Sequence, residues 1–401
     1  MKAVVVIPTY NEAENIGRLI PRIFEETRTY TRHDFHILVV DGNSPDGTAD
    51  IVNDIGKENP NVHLLLEKEK AGLGAAYILA FRYALNVLNA EILVEIDAEF
   101  QHDPANLPEL IKGIDDGYDY VIGSRYIHGG SIPKEWAFYR KFLSIGGNLF
   151  SKIVLGIYDV NDFTTGYKAT RVKGFLDKMD LDRINSSGFA YKMDLLYRMH
   201  IAGAKIKQIP ITFGLRDRGN SKMERDNALD SLRVVFLIKS EHSKNKVLKW
   251  IFTGLFSLST FAMVFLSRPE NKSFIKFAIV GFVGLFTDGT AFNILRLTPL
   301  GTVLSAPISG LIAMITTFML NNRWSFGDRK LEGTSKKAAS FAFYIASSTV
   351  PILVRTWMVT HAVTNFGDTF LVSNIAFLLG VIFGLFWNYT IYSNLIWRKN
   401  V

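Results

Sequence analysis

Short apolar runs alternate with amphipathic stretches through the first half of the chain, and near-continuous apolar runs fill the second. The runs Ala3–Ile7, Phe35–Val40, Val62–Leu66, Ile92–Ile96 and Tyr120–Ile122 are rich in β-formers and read as strands, separated by helical patterns such as Glu12–Glu26 and Leu73–Leu88. This alternation predicts an α/β fold, a doubly wound sheet with helices on both faces. Ligands of such sheets bind beyond the carboxyl ends of the strands. The polar clusters fall there: Pro8-Thr9-Tyr10-Asn11-Glu12 after the first strand, Asp41-Gly42-Asn43-Ser44-Pro45-Asp46 after the second, and Asp97–Gln101 after the fourth.

From about Trp250 onward the apolar runs reach roughly 18 to 25 residues, long enough to cross a bilayer as helices. The expected spans of this all-α transmembrane part are Phe274–Leu295, Val303–Leu320, Ala338–Val363 and Phe370–Ile396. Arg323–Lys337 is strongly basic and Arg398 and Lys399 follow the last span, whereas Thr298–Thr302 and Thr364–Thr369 carry almost no positive charge. The positive-inside rule then puts the basic loop and the C-terminal residues in the cytoplasm. Trp250–Ser267 is also apolar, but positive charge follows it, so it is expected to lie in the interface or to dip and return. The basic segment Asp226–Lys249 reads equally as a helix lying flat on the membrane or as a closing helix of the soluble part. The layout is therefore 1–225 soluble, 226–270 linking, and 271–401 transmembrane. A faint repeat runs through the last part, each second span ending in Asn and aromatic residues, Asn321-Asn322-Arg323-Trp324 and Trp387-Asn388-Tyr389.

The net charge of +7 is concentrated beside apolar segments, as in Lys239, Lys244, Lys246 and Lys249, which favours an anionic membrane face over nucleic acid. With no cysteine the chain has neither disulfides nor thiolate metal sites. Met1–Pro8 is too short and too soon polar for a signal peptide, so an integral membrane protein with a cytoplasmic soluble half is expected.

Candidate chemistry centres on Asp97, Glu99 and Gln101. Side chains two apart on an extended segment point the same way, so the three oxygens are expected to converge on one hard cation, Mg²⁺ or Mn²⁺, completed by phosphate oxygens. Asp41–Thr48 reads either as a connection in which Asp46 caps a helix, or as a site where Asp41 and its backbone hold a base or ribose. Gly72-Leu73-Gly74 serves either a phosphate or a tight turn into a helix. The cations of Gly123-Ser124-Arg125-Tyr126, Tyr139-Arg140-Lys141 and Arg216-Asp217-Arg218-Gly219-Asn220-Ser221-Lys222 are singly surface charges and together able to draw in a second anion.

Taken in order, Pro8-Thr9-Tyr10-Asn11-Glu12, Asp41–Thr48, Gly72-Leu73-Gly74, Asp97-Ala98-Glu99-Phe100-Gln101-His102, Gly123–Tyr126 and Arg216–Lys222 resemble family 2 glycosyltransferases, and more narrowly dolichyl-phosphate (polyprenyl-phosphate) mannose synthases. The remainder is similar to the four-helix GtrA-like domain that some of these carry. The resemblance implies a GT-A fold, a divalent metal, a nucleotide sugar such as GDP-mannose, a polyprenyl phosphate acceptor and inversion at the anomeric carbon. It further implies that Pro8, Tyr10, Glu12 and Asp41 contact the nucleoside and that Asp97, Ala98, Glu99 and Gln101 meet metal and diphosphate. Arg125, Arg140 and Ser144 would engage the acceptor phosphate, with Arg125, Arg216 and Lys222 on the donor; Asp97, Arg125 and Arg140 would be the catalytic set. Two positions depart from the family pattern: Glu99 stands where Asp is usual, and Gly42 where many relatives have Asp. UDP-glucose as donor, and a lipid-linked sugar translocator with a degenerate transferase half, are the competing expectations.

Overall fold

A computed structural model of the protein describes residues 1–215, 226–268, 271–367 and 369–398, which divide into two compact units, Met1–Met263 and Val264–Val401. The first unit is an α/β layer structure. Its strands are β1 (Lys2–Thr9), β2 (Asp34–Asp41), β3 (Val62–Leu66), β4 (Ile92–Glu95), β5 (Tyr120–Ser124), β6 (Lys168–Arg171) and β7 (Ile206–Pro210). They form one sheet in the order β3-β2-β1-β4-β6-β5-β7. Neighbours are parallel except at β6, which runs antiparallel to both β4 and β5. The expected doubly wound sheet is present, made mixed by this one strand.

The strands alternate their side chains between two cores. Val4, Val6, Leu38, Val40 and Leu93 face one layer, where Tyr77, Phe81, Leu195 and Leu196 pack on them from α3 (Leu73–Asn86) and α6 (Tyr191–Ile201). Ala3, Val5, Ile7, Ile37, Val39 and Val94 face the other. There α1 (Ala13–Thr27) contributes Ile16, Leu19, Ile20 and Ile23, the three- and four-residue steps of an amphipathic helix. The helices α2 (Thr48–Glu58) and α4 (Leu107–Asp115) complete that layer with Val52, Leu107, Leu110, Ile111 and Ile114. Full burial of each such aliphatic side chain contributes roughly 1.5–3 kcal/mol.

β6 carries no apolar alternation in its sequence. Backbone ladders to β4 and β5 hold it, with Ala169 in the core and Lys168 opposite Glu95 across the β4–β6 ladder, neither side chain exposed. Helix α5 (Phe138–Leu155) packs on α7 (Asp226–His242), with Phe150 edge-on to Phe236 at 5.6 Å. Val234, Val235 and Ile238 of α7 are buried in the core, so α7 closes the α/β unit, the second of the two sequence alternatives.

The helix α8 (Lys246–Ser267) is uninterrupted, and its part Lys246–Phe265 is long and apolar enough to cross a membrane, so the dip-and-return expectation for Trp250–Ser267 does not hold. Three further helices meet the same criterion among the described residues: α9 (Lys272–Leu295), α11 (Thr334–Phe366) and α12 (Phe370–Ile391), the last with its extension to Ile396. Helix α10 covers Gly301–Leu320. In the second unit α9 pairs with α10 and α11 with α12, and each pair ends in a π-helical turn, Asn321–Ser325 and Tyr392–Ile396. Asn322 Oδ1 joins the two endings, accepting from Leu331 N at 2.7 Å and from Trp397 Nε1 at 2.8 Å. The stacked pairs Phe326–Trp397 and Tyr344–Tyr392 pack around it.

At the amino-terminal edge of the sheet His36 Nδ1 lies 2.9 Å from His63 Nε2, and Asp34 holds the other nitrogen of His36 at 3.0 Å. Burial first, then His36 and Lys2, hold His63 below its ordinary value of 6.5. Below that value the unfolded chain takes up a proton that the folded chain resists, so stability falls as pH drops through this range. Thermal unfolding of the protein in detergent from pH 7.5 to 5 is expected to show this decline, and His63→Asn to flatten it.

Candidate active site

The carboxyl ends of β1 and β2 are joined by their own loops. Asn11, in the left-handed region at φ 57°, donates its N–H to Ser44 Oγ at 2.9 Å. Glu12 N donates to Thr48 Oγ1 at 3.0 Å and Ala13 N to Asp46 Oδ2 at 3.0 Å, so the loop after β2 satisfies the first N–H groups of α1. Asp46 also accepts from Thr48 N and Thr48 Oγ1 at its other oxygen. It therefore serves two helix starts at once, α1 and α2.

Asp41 is fully buried and accepts from Thr9 Oγ1 at 2.8 Å, Ser44 N at 2.7 Å and Ser44 Oγ at 2.6 Å. Glu12 is buried too and accepts from Asn15 Nδ2 at 2.8 Å. Both carboxylates shape the rim from beneath. Pro8 and Tyr10 are half-buried above them, with Lys70 Nζ 4.3 Å from the centre of the Tyr10 ring. Gly72 and Gly74 admit backbone rather than phosphate: a Cβ on either would come within 2.5 Å of the Ser187 or Ser186 carbonyl.

The fourth strand stops at Glu95, two residues before Asp97, and Phe100 turns back at φ 56°. The segment is a turn, so the strand alternation expected for Asp97, Glu99 and Gln101 does not apply. Asp97 and Glu99 are half-buried, Ala98 is buried between them, and Gln101 is buried with Nε2 donating to Gly214 O at 3.2 Å. That bond fixes the amide, leaving Oε1 as its accepting atom. No group of three or more His, Asp or Glu able to hold a metal occurs among the described residues. Mg²⁺ and Mn²⁺ need only one or two carboxylates where substrate phosphates supply further ligands, and the pair Asp97 and Glu99 fits that demand. His102, next in sequence, is wedged between the rings of Tyr167 and Phe213, and burial pushes it down to about 4, leaving a neutral imidazole.

Arg125 follows β5 and is buried. Its Nε and Nη2 meet the two oxygens of Asp162 at 2.7 Å each, and Nη2 also donates to Thr164 Oγ1 at 2.6 Å. Burial would raise the Asp162 carboxyl, but the Arg125 charge and its hydrogen bonds hold it below the usual range. Arg140, one turn into α5, lies over the Trp136 ring at 4.0 Å. Ser144, a turn further on, meets Tyr126 OH at 2.6 Å, so the acceptor candidates of β5 and α5 share one hydrogen-bonded neighbourhood. Arg216 and Lys222 lie outside the described residues.

Sequence reasoning missed Asp162 and the charges behind Asp97. Glu95 accepts from Tyr191 OH at 2.6 Å, and burial raises its carboxyl. Lys168 donates to Lys192 O at 3.3 Å, and burial pushes it down to about 8. Lys192 Nζ stands 3.9 Å from Asp97 Oδ2. One signal was on view: a carboxylate in the middle of Ile92-Leu93-Val94-Glu95-Ile96 requires a buried partner.

Rim carboxylates beyond parallel strands, with basic groups grouped beside them, lie where ligands of such sheets bind. Residues 4–176 match the family described as "Glycosyl transferase family 2", and residues 276–397 match "GtrA/DPMS, transmembrane domain". A polyprenol monophosphomannose synthase of Mycolicibacterium smegmatis is 38% identical over 232 residues, 58% of this chain and 84% of that protein. An undecaprenyl-phosphate mannosyltransferase of Micrococcus luteus is 39% identical over 223 residues, covering 56% and 88%. A dolichol-phosphate mannosyltransferase of Pyrococcus furiosus is 29% identical over 399 residues, 99% of each. The chain belongs to glycosyl transferase family 2 and is a glycosyltransferase with a GtrA/DPMS transmembrane domain, as the sequence motifs implied.

Asp162→Ala would leave the Arg125 guanidinium buried without its carboxylate, which is expected to cost about 3–5 kcal/mol. Thermal unfolding of the purified variant in detergent reads this as a large fall in Tm, with a smaller fall for Asp162→Asn.

Proposed function

We propose that this protein transfers mannose from GDP-mannose to a polyprenyl (dolichyl) phosphate at the cytoplasmic face of a membrane, with Mg²⁺ or Mn²⁺ bound. The observation that carries the reading is α5 itself, which bears Arg140 and Ser144 on its inner side and an apolar stripe on its outer face. Phe138, Phe142, Ile145, Leu149 and Ile153 follow one another at three- and four-residue steps, and each is more than half exposed. Water is a poor partner for such a stripe and lipid a good one. Lys134, Lys141 and Lys152 border it with positive charge suited to anionic headgroups. The relatives named above, which join mannose to polyprenol, undecaprenyl or dolichol phosphate, support the same donor sugar and acceptor class. In this reading residues 1–225 together with the closing helix α7 are catalytic, and the helices from α8 onward form the membrane part.

The donor nucleoside rests on Pro8 and Tyr10, while Asp41 and Glu12 act through the loops they hold. Asp97, Glu99 and Gln101, with the buried Ala98 between them, face the diphosphate and hold the cation. When bound, the cation supplies Lewis-acid stabilisation of charge on the leaving diphosphate. Arg216 and Lys222 are assigned to the donor phosphates on the family pattern alone.

A lipid phosphate monoester has a second pKa of about 6 and reaches the site largely as a dianion, so no general base is required. The difficulty lies in bringing one anion to another. Arg140, held on Trp136, and the Ser144 hydroxyl, set by Tyr126, receive and orient the acceptor phosphate. Arg125 shares its charge with Asp162, so its part is to fix this wall. A phosphate oxygen attacks the anomeric carbon as its bond to the diphosphate breaks, and the configuration inverts.

Arg140→Ala is expected to abolish transfer while leaving Tm within a few degrees, and Asp97→Asn to abolish it with a modest fall in Tm because Lys192 loses its paired charge. The assay is purified protein in detergent with polyprenyl phosphate, GDP-mannose or UDP-glucose, and Mg²⁺, Mn²⁺ or EDTA. Full activity of either variant, or in EDTA, would overturn the mechanism; transfer from UDP-glucose alone would overturn the donor.

A further inference from the structure

Behind Asp97 lies a closed set of charges that the transfer reaction does not consume. Lys168 and Glu95 are cross-strand partners with no exposure, and Lys192 is 1% exposed. Lys192 leaves the start of α6, passes Phe189 at 4.5 Å from the ring centre, and brings Nζ to 3.9 Å from Asp97 Oδ2. Asp97 itself is about a quarter exposed, so the ammonium approaches it from the protein side while the other side faces solvent.

The chain makes room for this meeting. At Gly166 an added Cβ would lie 2.5 Å from Lys192 Nζ and 2.9 and 3.1 Å from the Asp97 carboxylate oxygens. Any side chain at 166 would have to displace the pair. The segment bearing Gly166 is anchored by Asp162, which accepts from Thr164 N at 3.2 Å and Thr165 N at 3.1 Å as well as from Arg125. Two ammoniums, Lys168 and Lys192, thus balance two carboxylates, Glu95 and Asp97.

We propose that Lys192 is a positioning residue of the transfer site, a buried ammonium that holds the Asp97 carboxylate from behind and lowers the negative charge a divalent cation meets there. This rests on the reading of Asp97 as a cation ligand. A carboxylate already sharing its charge binds the cation weakly by itself and relies on the donor diphosphate to complete the site, so ion and nucleotide sugar are bound together. Lys192 acts on this carboxylate through its charge at 3.9 Å, with His102 Nδ1 at 3.4 Å from the same oxygen.

The test is Mn²⁺ titration of the full chain in detergent without nucleotide, read by electron paramagnetic resonance of the free ion, for wild type, Lys192→Met and Lys192→Gln. The glutamine variant keeps a polar head in the pocket should the methionine variant fail to fold. Removal of one nearby positive charge is expected to tighten Mn²⁺ binding by about tenfold. In the same variants kcat falls by about tenfold or more while KM for the donor stays within about twofold, the loss of an interaction made in the transition state. A lysine that served only folding would weaken Mn²⁺ binding, the opposite sign. Unchanged or weaker Mn²⁺ affinity in the variants, with wild type binding Mn²⁺, overturns the role of Lys192 and leaves the cation reading standing. Wild type that binds no Mn²⁺ and transfers in EDTA overturns both.

Discussion

One buried ion pair fastens the floor of the active rim. Asp162 receives the Arg125 side chain through Nε and Nη2 and its backbone through N, together with the N–H groups of Thr164 and Thr165. Burying two charges is expensive unless their hydrogen-bonding capacity is filled, and here the carboxylate is saturated. The consequence is geometric. The end of β5 is tied to the segment that precedes β6, and that segment brings Gly166 to the back of Asp97. If the pair were loosened, the turn after β4 would lose its support on one side.

The opposite side of the rim is held by neutral and acidic groups working in pairs. Ser44, Asp46 and Thr48 of one loop cap the start of α1, and Asp41 holds that loop to Thr9. Because loop and helix satisfy each other, few backbone donors are left to water at a place where a substrate must displace it. The two sides differ in kind. Neutral donors bonded to carboxylates build the part assigned to the nucleoside, and pairs of opposite charge build the part assigned to diphosphate and acceptor.

How much of this was legible follows from what each element uses to fold. The first five strands and α1 and α3 announce themselves because apolar periodicity is their stabilising principle. β6 is four residues held by ladders to both neighbours, with Lys168 and Thr170 where apolar residues would mark a strand, and leaves no such trace. Asp162 lies far along the chain from Arg125, with no spacing rule connecting them. The expectation for Asp97, Glu99 and Gln101 assumed a strand that continues, and Phe100 at positive φ ends it. In the second unit the repeat of Asn and aromatic residues was visible, but only Asn321–Trp324 falls in a π-helical turn, while Trp387–Tyr389 lies in α12 ahead of the turn Tyr392–Ile396. The residues of chemistry were readable as types; their partners were not.

The apolar stripe of α5 changes what concentration means for this enzyme. In the proposed reading, a domain with that face adsorbs where lipid meets water and samples a film rather than a volume. An acceptor dissolved in the same film is counted per unit area. Its dilution by inert lipid or by micelles then slows the reaction even when its molarity in the tube is unchanged.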